Sequence, residues 1–195
     1  MIDISLIITC YNKQEFISRC IRSAQNQKQI NDDNYEIIVV DDNSNDSSKK
    51  IIKDFSEKIL KIFNKKNRGL SYSRNLGVKK SRGQYIFFLD ADDYISNDTL
   101  FILKRALEEN SNWGAVSADY ETVSKNKKKL KRFSALSKPI ACGILYKKKT
   151  IIKSGMFNVK LRFNEDIDFR IRYLKKYKIG NIPIPLYRYT MHKEN

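Results

Sequence analysis

The sequence predicts an α/β fold, a mostly parallel central sheet with helices on both faces. Three observations predict it. The apolar runs "ISLIIT" (4–9), "YEIIVV" (35–40) and "QYIFFL" (84–89) are continuous rather than alternating, as strands buried on both faces are. Stretches of helical period separate them. Each run also ends in a polar cluster, and open α/β sheets bind their ligands beyond the carboxyl ends of their strands.

The elements follow in order. After the first strand, "NKQEFISRCIRSAQNQ" reads as a helix, with Asn12 and Glu15 spaced as a capping pair and Phe16, Ile17, Cys20, Ile21 and Ala24 on one face. The second strand stops at "DDNSND", and Ile51, Ile52 and Phe55 mark a second helix. "ILKIF" (59–63) is a third strand, "LSYSRNLGVKK" (70–80) a third helix, and 84–89 a fourth strand. From Trp113 the rhythm changes. "WGAVSADYETV" and "IACGILY" read as strands separated by a basic loop, "NEDIDFRIRYLKKY" (164–177) as a helix with Ile167, Ile171 and Leu174 as its apolar face, and "IPIPLYRYTMH" as an extended segment. No linker or internal repeat divides the 195 residues, which predicts one domain with two functional halves.

Composition sets bounds. No apolar run approaches the roughly 20 residues of a membrane span, and "MIDISLIITCYN" lacks the pattern of a signal peptide, so the expectation is a cytoplasmic protein. Cys10, Cys20 and Cys142 have no metal-ligand spacing and read as packed thiols. The net charge of +16 attracts anions, but Lys is frequent throughout; the dense stretch "KNKKKLKR" (125–132) reads either as a solvated loop or as a surface that steers phosphate-bearing partners.

Four strand ends should converge on one crevice: "TCYN" (Thr9 to Asn12), "DDNS" (Asp41 to Ser44), "NRG" (Asn67 to Gly69) and "DADD" (Asp90 to Asp93). The stretch "YIFFLDADDYISND" drives a buried strand straight into three acids, which repel one another unless a cation compensates. Mn²⁺ or Mg²⁺ suits them, because each takes oxygen ligands and uses one or two carboxylates plus substrate phosphates. The bland alternative is a helix start capped by Asn97 or Asp98; it accounts for Asp98 but not for Asp90. In "NEDIDF", Glu165 and Asp166 occupy a first helical turn, where a carboxylate could accept a proton, but ordinary dipole complementation, with Lys175 and Lys176 at the other end, explains them better when taken alone. The one histidine, His192, follows Arg188 by four residues, and the two either converge on phosphate oxygens or lie on a terminal surface.

"SLIITCYNKQEFISRCIRSAQNQ", "YEIIVVDDNSND", "NRGLSYSRNLGVKKSRGQYIFFLDADD" and "FNEDIDFRIRY" together closely resemble, in order and spacing, the family 2 glycosyltransferases. The resemblance spans essentially the whole chain. It implies a GT-A fold, with a Rossmann-like, mostly parallel central sheet flanked by helices and a smaller mixed β addition. Residues 1–110 would form the nucleotide-binding half and 111–195 the acceptor and catalytic-base half. The implied activity is inverting, metal-dependent sugar transfer from a nucleotide-diphosphate donor, a UDP-sugar above all, in the synthesis of a surface polysaccharide or other glycoconjugate. The acceptor would be a glycan, a lipid-linked glycan or a polyol phosphate, with peripheral contact to an anionic membrane at its inner face. By motif match, Tyr11 would stack on the base, Asp42 would hydrogen-bond it, Asp41 would support that loop, and Thr9 would belong to the same nucleotide site. Asn67 and Arg74 would line the nucleotide site and Asp90 would approach the ribose. Asp92 would bind Mn²⁺ or Mg²⁺, with Asp93; Arg188 and His192 would contact the pyrophosphate or the metal, and Asp166 would be the general base. The chain ends three residues after His192, where many members continue, which marks a minimal enzyme or a fragment.

Two other classes account for less of the sequence. A haloacid-dehalogenase-type phosphatase carries its nucleophilic aspartate after the first strand, where this chain has "TCYN". A basic, non-catalytic module for nucleic acid or membrane accounts for the charge but leaves every acidic motif unexplained; no nucleic-acid partner is expected.

Overall fold

The computed structural model describes residues 2–56 and 58–192. Four strands, β1 (Ile4–Cys10), β2 (Tyr35–Asp41), β3 (Ile59–Phe63) and β4 (Tyr85–Asp90), run parallel in the order β3-β2-β1-β4. All seven residues of β1 and of β2 are buried, which is why these runs show no alternation. Between them stand α1 (Ile17–Gln25), α2 (Ser48–Asp54) and α3 (Leu70–Lys80). The last of these packs close to the sheet at Gly77, where a Cβ would come within 2.5 Å of Ile7.

The second half joins the same sheet. After the short β5 (Tyr94–Ile95) and α4 (Thr99–Glu109) come β6 (Trp113–Ser124), β7 (Lys129–Phe133), β8 (Ile144–Lys147), α5 (Lys148–Lys153), α6 (Glu165–Leu174) and β9 (Lys178–Met191). The order continues β4-β8-β6-β9-β5, with β7 on β6. β8 lies antiparallel to both β4 and β6, and β9 lies parallel to β6. The mixed addition is therefore an extension of the parallel sheet.

Several local expectations are corrected. Helix α1 starts at Ile17, and neither Asn12 nor Glu15 caps it: Asn12 adopts a left-handed backbone (φ 53°) and Glu15 pairs with Lys125 at 2.7 Å. The basic stretch is no simple loop, because its second part is β7 and three of its cations are paired, Lys125 with Glu15 among them. Lys129 meets Glu121 at 3.1 Å and Arg132 meets Asp119 at 3.0 Å. Only Ile144 onward of "IACGILY" is strand, and α5 and β5 are additional to the expected elements. Most consequential is α6, which buries the face opposite to the expected one. Phe169 and Tyr173 point inward, stacking at 4.5 Å with Phe157 and edge-on at 5.2 Å with Tyr146, while Ile167, Ile171 and Leu174 are exposed.

Candidate active site

The carboxyl ends of β1, β2 and β4 open on a crevice of about 710 Å³, lined by Thr9 to Lys13, Asp42, Asn67, Gly69, Leu70, Ser73, Asp90 to Asp92 and Phe163. Its shape comes from loops laced to one another. The left-handed turn at Asn12 lets its backbone N–H donate to Ser44 Oγ (3.0 Å) and its side-chain oxygen accept from the Asn45 N–H (2.9 Å). Lys13 N–H donates to Ser48 Oγ at 2.9 Å and Gln14 N–H to Asp46 at 3.0 Å. Asp41 accepts from the Ser44 N–H at 3.1 Å. Tyr11 lines the crevice at the edge of this lattice and is 45% exposed, the one large aromatic at the end of β1.

Asp42 closes the opposite wall. Its carboxylate accepts from Asn64 Nδ2 (2.6 Å), Arg68 N–H (3.0 Å) and Gly69 N–H (2.7 Å), fixing the loop that carries Asn67 into the crevice. Gly69 has φ +89°, and a Cβ there would approach the Arg162 guanidinium to 2.8 Å.

The acids of "DADD" divide. Asp90 and Asp92 line the crevice. Asp92 Oδ2 meets His192 Nε2 at 2.9 Å and Lys13 Nζ at 3.2 Å, and His192 stacks on Phe16 at 5.0 Å. Asp93, expected beside Asp92 at a metal, points inward instead. It is 2% exposed and accepts from Tyr187 Oη (2.6 Å) and Thr190 N–H (2.7 Å), which ties β9 to the acid turn. Burial, followed by Asp92 and Asp90, pushes its pKa well above the carboxylate range.

Arg74 and Arg188 also lie away from the crevice surface. Arg74 is 1% exposed behind the wall, with Nη2 on Asp90 Oδ1 at 3.1 Å and Nη1 on Glu165 Oε1 at 3.2 Å. Burial disfavours its charge, but the carboxylates of Asp90 and Glu165 outweigh that and hold it protonated. Arg188 Nε pairs with Glu121 at 3.1 Å across β6 and β9. Asp166 faces a neighbouring groove of about 280 Å³ with Ile140, Ile167 and Arg170. The Asp90–Arg74–Glu165 chain nevertheless couples the start of α6 to the crevice floor.

Two residues enter the site without having been singled out from sequence. Lys13 reaches Asp92, a role signalled only by its position just after "TCYN". Phe163, 84% exposed at the rim, stands immediately before "NED", where an apolar residue ahead of a helix start reads as packing.

Among the described residues no group of three or more His, Cys, Asp or Glu side chains is arranged to hold a metal. Asp92 and His192 offer two donors. That set fits Mn²⁺ or Mg²⁺ where a bound diphosphate and water complete the coordination, since such ions commonly take one or two protein ligands beside substrate phosphates.

An exposed aromatic and two carboxylates in one crevice, beyond the carboxyl ends of a parallel sheet, mark the ligand site of an open α/β fold. The glycosyl transferase family 2 profile matches residues 5–176, and the chain belongs to that family. It is 36% identical over 101 residues to a poly(ribitol-phosphate) beta-glucosyltransferase of Bacillus spizizenii, covering 50% of this chain and 16% of that protein. It is 38% identical over 117 residues to the poly(ribitol-phosphate) beta-N-acetylglucosaminyltransferase TarP of Staphylococcus aureus, covering 58% of this chain and 33% of that protein. Staphylococcus aureus TarS 1–349 in complex with UDP superposes with a TM-score of 0.83 at 22% identity, over 99% of this chain and 62% of that one, and the fold is GT-A. The chain thus spans less than two thirds of the length of each.

Proposed function

We propose that this chain transfers a sugar, with inversion, from a nucleotide-diphosphate donor to an acceptor hydroxyl, using a UDP-sugar and a polyol-phosphate or related cell-surface acceptor. One observation carries the reading: a single crevice holds an exposed Tyr11 beside Thr9 and, across its floor, Asp90 and Asp92. A uracil ring stacks on Tyr11, the loop fixed by Asp42 presents Asn67 to the nucleotide, and Asp90, steadied by Arg74, faces the ribose. The UDP and UDP-sugar complexes of TarS and the polyol-phosphate activities named for the relatives support the donor and acceptor classes.

Chemically, the acceptor oxygen attacks the anomeric carbon from the face opposite the diphosphate. The new C–O bond forms as the bond to the β-phosphate oxygen breaks, and the hydroxyl proton passes to Asp166. Mn²⁺ or Mg²⁺ on Asp92 and His192 would neutralise the charge that grows on the departing diphosphate. Lys13, on the same Asp92 oxygen, adds a second positive group at that end.

The decisive experiment measures UDP affinity by calorimetry with Mn²⁺ and with chelator. Affinity is expected to fall on chelation and in Asp92→Asn, whereas Asp93→Asn, whose carboxylate faces Tyr187 and Thr190, keeps it. Equal affinity with and without the cation would remove the metal from the proposal. A loss in Asp93→Asn equal to that in Asp92→Asn, with the fold intact, would mean that the turn rearranges to use both acids.

Tyr11→Ala is expected to weaken UDP binding by about 1–3 kcal/mol, the range of base–aromatic stacking. The ring is half exposed, so its removal costs little stability. Unchanged affinity would show that the base lies elsewhere.

A further inference from the structure

We propose that the outward face of α6, with the loop before it, docks the protein on the surface of an anionic lipid bilayer. Ile167, Ile171 and Leu174 form a stripe of helical period on α6, Val159 and Phe163 are exposed in the loop before it, and the five exposures run from 48% at Leu174 to 84% at Phe163. Single apolar side chains are scattered over any protein surface, but five on one helix and the loop before it mark a contact face. The stripe borders a shallow groove whose far wall includes Pro139, Ile140 and Ala141.

Charge identifies the partner. Arg170 lines the same groove, and by helical period Lys175 stands on the other side of the Ile167–Ile171–Leu174 stripe. The acids of α6 lie in its first turn, where Glu165 is bound to Arg74, Asp168 is bound to Arg172 at 2.6 Å and Asp166 faces the groove. The later turns therefore present apolar side chains edged by cations. That is the pattern of a helix lying in the membrane interface, its apolar side chains at the acyl boundary and its cations on lipid phosphates. At ten residues, α6 is far too short to cross a bilayer.

The stretch Lys125 to Arg132 is the rival surface. It has one exposed large apolar residue, Leu130, and Lys125, Lys129 and Arg132 are engaged with Glu15, Glu121 and Asp119. Phe163 stands at the crevice rim and Asp166 on the same groove, but Ile171 and Leu174 line no part of the crevice, so their substitution tests docking separately from nucleotide binding.

The test is co-sedimentation of the full chain with vesicles of phosphatidylcholine, with and without phosphatidylglycerol. The parent is expected to bind the mixed vesicles, less as salt rises, and not phosphatidylcholine alone. Ile171→Ser/Leu174→Ser is expected to lower the partition coefficient about tenfold or more. Arg170→Gln/Lys175→Gln lowers it as well, while Lys127→Gln/Lys128→Gln binds almost as the parent does. Unchanged thermal unfolding of each variant reports an intact fold. Absence of parent binding to the mixed vesicles overturns the proposal, as does parent-like binding by Ile171→Ser/Leu174→Ser. So does a parent that sediments as a dimer and becomes a monomer in that variant, which makes the face a contact between copies of the chain.

Discussion

Asp166→Asn is expected to lower kcat by roughly 10²–10⁴-fold, the contribution of a positioned general base, while UDP affinity stays near that of the parent. The separation follows from geometry. Asp166 lies in the first turn of α6 on the groove beside the crevice, whereas Thr9, Tyr11, Asp42 and Asp92 line the crevice itself. Removing its charge leaves the nucleotide's contacts in place. Phe163, three residues earlier, reaches the crevice rim, so the start of α6 borders the crevice. Helix-dipole complementation, the competing explanation of the same acid, predicts a loss of only about 0.3–1 kcal/mol in stability and no change in turnover. Asp168→Asn is the control, because it shares the turn and the dipole but its carboxylate is held by Arg172 at 2.6 Å. Glu165 cannot serve as the control, since it is buried on Arg74. Single-turnover kinetics with an authentic acceptor decide between the two. Parent-like transfer by Asp166→Asn would pass the base role to another carboxylate.

The parallel half of the fold was legible because its signal is local. Continuous apolar runs stop at polar clusters, and β1, β2, β3, α3 and β4 fall within a residue or so of the stretches that predict them. The convergence of Tyr11, Asp42, Asn67, Asp90 and Asp92 on one crevice follows from the same rule about strand ends. Side-chain direction was not legible. Helix α6 carries two apolar stripes, Phe169 with Tyr173 and Ile167 with Ile171 and Leu174, and periodicity alone cannot rank them. Long-range partners decide: Phe157 and Tyr146 receive the aromatic stripe, and Arg74, 91 positions away, draws Glu165 inward. The same limit applies to Asp93, whose partners Tyr187 and Thr190 lie 94 and 97 positions downstream. Arg188 is likewise turned by Glu121 on a neighbouring strand, a pairing that no spacing within "YRYTMH" reveals.

Arg74→Met is expected to cost about 3–5 kcal/mol of stability, the usual penalty for removing one partner of a buried ion pair. For a chain of this size that is a fall of roughly 6–20 °C in Tm. Arg74 supplies the cation between two carboxylates, Asp90 at 3.1 Å and Glu165 at 3.2 Å, and its guanidinium lies over the Phe157 ring at 5.2 Å. Methionine replaces much of the stem and keeps the contact with Phe157, so the loss reports the charge rather than a cavity. The two acids are stranded unequally. The Asp90 side chain is 30% exposed to the crevice and can take up water, whereas that of Glu165 is 11% exposed. Glu165→Gln in the Arg74→Met background should therefore recover more stability than Asp90→Asn in the same background, because it neutralises the charge with less access to solvent. Urea unfolding of the four proteins at neutral pH measures this. A loss below about 1 kcal/mol in Arg74→Met, the scale of exposed pairs, would mean that water reaches both carboxylates and that the bridge between the crevice floor and α6 adds little to the fold. Equal recovery by both second substitutions would place the two acids in the same environment, against the burial that separates them.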